Sequence, residues 1–184
     1  MAAERIEYAF YDTPFGRAAA AWTGRGACAA AVGADDKALL RMLSGALPGA
    51  ALVPAGKGSI HRSECETLFD PFLASPPLDL RGTGFQVAVW KALMAVPPGR
   101  TESYASIARA IGRPSSARAV AAACAANRIA VAVPCHRIVR SDGSLSGYRW
   151  GSDTKKALLA YERREASPAR ASTLSRKPAV SVLT

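Results

Sequence analysis

The chain has 184 residues, enough for one large domain or two small ones whose core needs neither disulfides nor metals. It is 49% hydrophobic and 21% charged, as a globular protein is, and no apolar run approaches the roughly 18 residues that span a bilayer. Glu4, Arg5 and Glu7 leave no signal-peptide core near the start, so the expectation is a cytoplasmic protein with no membrane partner. The net charge of +10 is uneven: residues 1–84 hold 8 Lys/Arg against 9 Asp/Glu, residues 85–165 hold 13 against 5, and residues 166–184 hold 3 against none. A basic second half points to a polyanion such as nucleic acid, with a merely soluble basic surface as the other reading.

From Tyr8 to Val32, small and aromatic apolar residues are interrupted at Asp12 to Gly16 and at Thr23 to Gly26, which predicts a short antiparallel meander. Leu39, Leu40 and Leu43 place a helix over Asp35 to Leu47, a Pro/Gly-rich loop follows from Pro48 to Gly58, and a second helix runs from Ile60 to Leu73. His61 and Cys65 lie four apart on that helix, but two ligands do not make a metal site. Ser75 to Gly84 reads as an extended linker. The expected division is therefore residues 1–76, a linker at 77–84, a second domain at 85–165 and a disordered basic tail at 166–184.

In the second domain, Phe85, Val89, Trp90 and Leu93 mark one helix face that stops before Pro97-Pro98-Gly99. Ser103 is a candidate N-cap for Tyr104 to Ile111, with Gly112 just past the end, and Pro114 is expected to open another helix through Ala126. Helix, short turn, helix is the helix-turn-helix pattern, which many proteins without DNA also use. The second helix is slim, built on Ala117, Ala119, Ala121, Ala122, Ala123, Ala125 and Ala126, with Arg118 its one charge and Arg113 and Arg128 flanking it. It suits a groove, or close packing on another helix. Asp153 is the expected cap of a last helix to about Glu165, in which Glu162 falls on or beside the apolar face near Leu158 and Leu159. Either a partner neutralises that acid or its head reaches water.

The centre of the chain is Val131 to Val139, where Pro134 breaks an apolar run and sets down Cys135 and His136. β-Branched residues on both sides predict buried strand before and after the break. A thiol becomes a nucleophile only as thiolate, so its pKa of about 8.5 has to be lowered or its proton taken by a base. His136, oriented by Glu162, is the candidate base, acting directly or through a water in the manner of a Cys-His-acid triad. An inert, buried Cys135 is the alternative. Cys28, Cys65 and Cys124 show no paired spacing and read as reduced thiols, with Cys124 a small buried filler.

Pro134-Cys135-His136-Arg137-Ile138-Val139 resembles the active-site signature of the O6-alkylguanine-DNA alkyltransferases, the methylated-DNA-protein-cysteine methyltransferases. The likeness extends through Trp90, Ser103-Tyr104, Arg118-Ala119-Val120, Asn127 and Ser146 to Trp150. It covers about residues 6 to 165, most strongly after the linker, and is to the carboxy-terminal half of the family's adaptive-response members. The resemblance implies single-turnover repair: a flipped O6-alkylguanine, and also O4-methylthymine, gives its alkyl group to Cys135. It implies Tyr104 at the neighbouring phosphate and guanine N3, Arg118 in the vacated stack, Asn127 holding the cysteine turn and Glu162 on the far nitrogen of His136. Pro134, Tyr148, Arg149 and Trp150 would wall the pocket, with the backbone of Cys135 and Ile138 reading the base edge. Arg113, Arg118, Ala119 and Arg128 are the further DNA-binding candidates, in the minor groove of a duplex.

The implied fold is α/β: a small ribonuclease H-like sheet-and-helix domain, then a mostly helical, winged-helix-like domain carrying the helix-turn-helix. The thioether product is a poor leaving group, so each molecule acts once. The expectation is a monomer with no cofactor and no metal, since Cys28, His61 and Cys65 do not reproduce the zinc set that some members carry. The zinc-binding module of the adaptive-response members has no counterpart in these residues, so phosphotriester repair and transcription control are not expected. Two alternatives remain, a helix-turn-helix regulator and a non-catalytic binder of alkylated DNA, though Cys135 argues against the second; a Cys-His hydrolase would need an oxyanion hole, for which the sequence shows no motif.

Overall fold

The computed structural model describes residues 3–56 and 61–166. Expectations for the rest of the tail, for the start of the helix at Ile60 and for the end of the loop at Gly58 lie outside the described residues. The hairpin punctuation behaves as its chemistry demands. Thr13 Oγ1 accepts the Phe15 amide at 3.1 Å and donates to the Gly16 carbonyl at 2.8 Å, closing the turn between β1 (Arg5–Thr13) and β2 (Gly16–Thr23). Gly26, at φ +129°, starts β3 (Gly26–Gly33), and a Cβ there would meet the Pro77 carbonyl oxygen at 2.1 Å.

These three strands pair antiparallel, and a fourth, β4 (Ala51–Pro54), joins parallel to β1, giving the order β3-β2-β1-β4. β4 corrects the loop expected from Pro48 to Gly58. Its pairing bonds come from elsewhere in the chain, the Ala51 amide to Glu4 O at 2.8 Å and the Ala55 amide to Tyr8 O at 2.8 Å. Pro54 is tolerated because β4 is an edge strand.

Ala18 to Ala21 and Ala29 to Ala31 are buried at every position, so both faces of the sheet are covered. On this sheet lies α1 (Asp36–Ala46), capped by Asp35, whose carboxylate accepts the Ala38 amide at 2.7 Å; it buries Leu39 and Leu43. α2 (His61–Phe69) packs against β1 and stops four residues before the Leu73 expected. The outer edge of β3 bonds to two later segments. Pro77 O accepts the Ala27 amide and the Asp79 amide donates to Ala27 O, while Arg128 O and the Ala130 amide bond the two sides of Ala30. Residues 77–79 are thus laid along the sheet, and so are residues 128–130, which lead to the cysteine turn.

Thr83 and Gln86 form a capping box at the start of α3 (Gly84–Met94), which buries Val89, Trp90 and Leu93 and ends before Pro97-Pro98. After the two-residue β5 (Glu102–Ser103), Ser103 caps α4 (Tyr104–Ala110) through the Ser106 amide at 3.0 Å. α5 (Ala117–Ala125) begins three residues later than expected at Pro114, because the Ser116 amide bonds back to Arg113 O and closes a turn first. α4 and α5 pack on one another, and α5 is tied to α3 by the Trp90 indole N–H, which donates to Ala123 O at 2.9 Å. β6 (Ile138–Val139) pairs parallel to β5, and α6 (Ser152–Glu165) closes the chain. Gly151 occupies the cap position of α6, not Asp153, which sits in the first turn where the helix dipole favours an acid. No helix of the described residues is long and apolar enough to cross a membrane.

Candidate active site

The segment before Cys135 is not the strand its β-branched residues predict. Only Ile129 pairs, in a single bridge to Ala30, and residues 130 to 133 then turn, with Val131 at φ +64°. A β-branched residue in that region is strained by roughly 1–2 kcal/mol, so something must hold it. Asn127, 1% exposed, does so: its Oδ1 accepts the Ile129 amide at 2.9 Å, and its Nδ2 donates to Ile129 O at 3.2 Å and Val133 O at 2.8 Å. The same Nδ2 lies 3.2 Å from Cys135 Sγ, so one amide holds both the turn and the sulfur. Cys135, His136 and Arg137 then form a single 3-10 turn leading into β6.

His136 and Glu162 are both fully buried, and His136 Nε2 lies 2.8 Å from Glu162 Oε1. Sequence reasoning missed the third member. Arg137 donates to the same carboxylate from Nε at 3.1 Å and from Nη2 at 2.9 Å, and its Nη1 bonds Val96 O. The Gly99 amide reaches Glu162 Oε2 at 3.0 Å. Burial works to raise the Glu162 pKa, but hydrogen bonds from His136 and Arg137 bring it from 4.5 down to about 2. An ionised Glu162 accepts the Nε2 hydrogen and leaves Nδ1 as the lone-pair nitrogen. Nδ1 is buried and has no protein partner among the described residues. Burial holds the His136 pKa below its ordinary value against the opposing pull of Glu162, so the imidazole is neutral at pH 7.

The thiol itself is not a resting thiolate. Burial pushes Cys135 up to about 11, outweighing the Asn127 hydrogen bond and the nearby Lys155 charge. Of the two routes to a thiolate, a lowered pKa is therefore not the one built, and removal of the proton by a base is required. Cys124 is pushed to about 12 by burial and stays a thiol.

Cys135 opens on a cavity of about 410 Å³ lined by Tyr104, Ala121, Cys124, Ala125, Gly147, Tyr148 and Arg149. One wall is α5, the other the loop before α6. Arg149 Nη1 donates across the cleft to Ala125 O at 3.2 Å, and the Tyr148 ring meets Trp150 edge-on at 5.1 Å. Trp150 thus backs Tyr148 without lining the cavity. Ile138 is buried, and Pro134 lines a separate groove with Pro97, Pro98 and Met94. Arg118 and Ala119 are exposed with Ala122 and Ala125 on the outer face of α5, Arg113 is exposed in the turn before it, and Arg128 is half-buried beside Asn127 and Cys28. Lys155, also missed, is 1% exposed, and its Nζ donates to Ile138 O at 2.6 Å. Among the described residues no group of three or more His, Cys, Asp or Glu is placed to hold a metal ion.

Comparison with known proteins gives matches over most of the chain. Residues 84–164 match the model of the 6-O-methylguanine DNA methyltransferase, DNA binding domain. The regulatory protein Ada of Salmonella typhimurium is 44% identical over 163 residues, 87% of this chain and 46% of Ada. A methylated-DNA-protein-cysteine methyltransferase of Mycolicibacterium paratuberculosis is 54% identical over 92 residues, 50% of this chain and 55% of that protein. The chain thus spans about half the length of the curated relatives it matches. The crystal structure of Mycobacterium tuberculosis OGT in complex with DNA superposes with a TM-score of 0.69 at 34% identity, covering 87% of this chain and 94% of that one. That mixed α/β fold, a small sheet with helices, is the fold described above.

Proposed function

The chain belongs to the 6-O-methylguanine-DNA methyltransferase family, and from that premise we propose that it repairs O6-alkylguanine in duplex DNA by moving the alkyl group, once, onto its own Cys135. The observation that carries the reading is the buried Cys135 thiol at the floor of an open cavity, with a neutral His136 held by an ionised Glu162 next to it in the chain. His136 Nδ1 takes the thiol proton, directly or through a water; the sulfur attacks the alkyl carbon, the C–O6 bond breaks and its electron pair stays on the purine. Asn127 holds the turn that presents the sulfur. Tyr104, on the cavity wall, donates to guanine N3, where charge develops. O4-methylthymine is a second substrate of the same step.

The slim outer face of α5 supports a minor-groove contact in which Ala119 lies close to the backbone, Arg118 fills the stack left by the flipped base, and Arg113 and Arg128 reach phosphates. Tyr148 and Arg149 wall the pocket with Trp150 behind, Pro134 shapes the turn, and the backbone of Cys135 and Ile138 reads the base edge. The order β3-β2-β1-β4 supports a ribonuclease H-like first unit, and the packed α4 and α5 a winged-helix-like second one, acting as a monomer. Cys28, Cys124 and Cys135, which form no disulfide among the described residues, suit a cytoplasmic setting. The test is the intact mass of the protein after incubation with a duplex holding one O6-methylguanine, followed by peptide mapping. One added methylene per molecule on Cys135, absent with undamaged DNA, is expected; an unchanged mass with the lesion intact overturns the reading.

A further inference from the structure

Lys155 lies on α6 with 1% of its surface exposed, and among the described residues no carboxylate forms an ion pair with it. A buried ammonium without a counter-ion is costly, and its surroundings must repay it through hydrogen bonds. Nζ donates to Ile138 O at 2.6 Å and to Ser146 Oγ at 3.1 Å. Ser146 Oγ in turn lies 2.6 Å from the Tyr104 hydroxyl. Three polar groups thus run from a buried cation to the wall of the cavity that holds Cys135.

The ammonium sets the direction of this chain, because it has donors only. With Lys155 donating to Oγ, the Ser146 hydrogen is free to go to the Tyr104 oxygen, and the phenol hydrogen is free for the cavity. We infer that Ser146 relays a proton from Lys155 to Tyr104 during alkyl transfer, which makes Ser146 and Lys155 positioning residues for protonation of the leaving guanine. The inference rests on the transfer reading above and assigns the source of the proton that reading requires.

The step balances. As the sulfur–carbon bond forms and the carbon–O6 bond breaks, the electron pair left on the purine takes the Tyr104 proton at N3. Tyr104 takes the Ser146 proton, Ser146 takes one from Lys155, and Lys155 ends neutral beside a neutral thioether. The physical case for a relay is the poor anion Tyr104 would otherwise become: burial raises its pKa, while burial lowers that of Lys155. A phenol that disfavours its anion beside an ammonium that disfavours its charge is a matched donor pair.

The experiment measures single-turnover transfer to Cys135 by the whole chain, using duplexes with O6-methylguanine or O6-methyl-3-deazaguanine, which has no nitrogen at position 3. Ser146→Ala is expected to slow transfer from O6-methylguanine at least tenfold with DNA affinity unchanged, yet to match the wild type on the deaza duplex. Ser146→Thr, which keeps a hydroxyl, is expected to restore most of the rate. Equal rates for Ser146→Ala and wild type on O6-methylguanine overturn the relay. Equal slowing on both duplexes also overturns it, because the serine would then be shaping the loop. A wild type that gains no mass from either duplex overturns the transfer reading and the relay together, an outcome distinct from either of those.

Discussion

Asp79 and Glu162 are both carboxylates that gather cations from distant parts of the chain, one in each half of the molecule. Asp79 accepts from Thr23 Oγ1 at 3.0 Å, Arg25 Nε at 3.1 Å and Arg81 Nε at 2.9 Å, and Arg81 goes on to Glu4 at 2.7 Å. Its partners reach water: the Arg25 side chain is 72% exposed. The cluster fastens residues 77–84 to the hairpin between β2 and β3. Glu162 accepts from His136, Arg137 and the Gly99 amide, and neither side-chain partner is more than 5% exposed. The same kind of pairing is a strut where solvent can replace a partner, and a means of fixing a tautomer where it cannot.

The sharpest way to break the comparison is Glu162→Gln. It leaves Arg137 buried without its carboxylate and faces His136 with an amide that can donate as well as accept, so the tautomer is no longer fixed. The expected result is a fall of roughly a hundredfold or more in the rate of transfer to Cys135, with about 3–5 kcal/mol lost in denaturant unfolding. The acid limb of the stability curve should change with it. A carboxyl lowered from 4.5 to about 2 contributes stability that is present above about pH 4.5 and lost as the pH falls toward 2. Unfolding of Glu162→Gln measured from pH 5 to pH 2 should therefore show a shallower decline than the wild type.

Asp79→Asn sharpens the comparison from the other side. About 2 kcal/mol of stability is expected to go, because hydrogen bonds to charged groups are lost, while single-turnover transfer at saturating DNA stays within about twofold. A loss of transfer as large as that of Glu162→Gln would mean that the strut also positions the site. The smallest effect is expected from Arg25→Ala, under about 1 kcal/mol by thermal or denaturant unfolding, since the pair it breaks faces water.

Much of the site was legible before the structure. Cys135, His136 and Glu162 stood out because a thiol, an imidazole and an acid on an apolar helix face are few in this chain, and the geometry pairs His136 with Glu162. Asn127 and Tyr104 came with the family likeness, and both lie within reach of Cys135 or its cavity. Arg137 and Ser146 fell within the motifs of the family likeness without a role, and Lys155 outside them, because one of 24 cations or a loop serine carries no local mark of burial. Their partners are 25, 42 and 17 residues away in the chain, at Glu162, Tyr104 and Ile138.

The sequence by itself determined what near neighbours decide: the Thr13 and Thr23 turns, the Ser103 cap, the apolar face of α3 and the family signature around Cys135. The turns and the cap rest on bonds that span two or three residues, so a window of sequence contains both partners. Tertiary structure alone decided the rest. β4 is a strand because β1 offers it an edge, and residues 130–133 turn away from β3 because the Asn127 amide binds Ile129 O and Val133 O. The thiol is neutral at rest because the packed chain around it buries the sulfur. Burial and long-range pairing are properties of the packed chain, and no stretch of residues carries them alone.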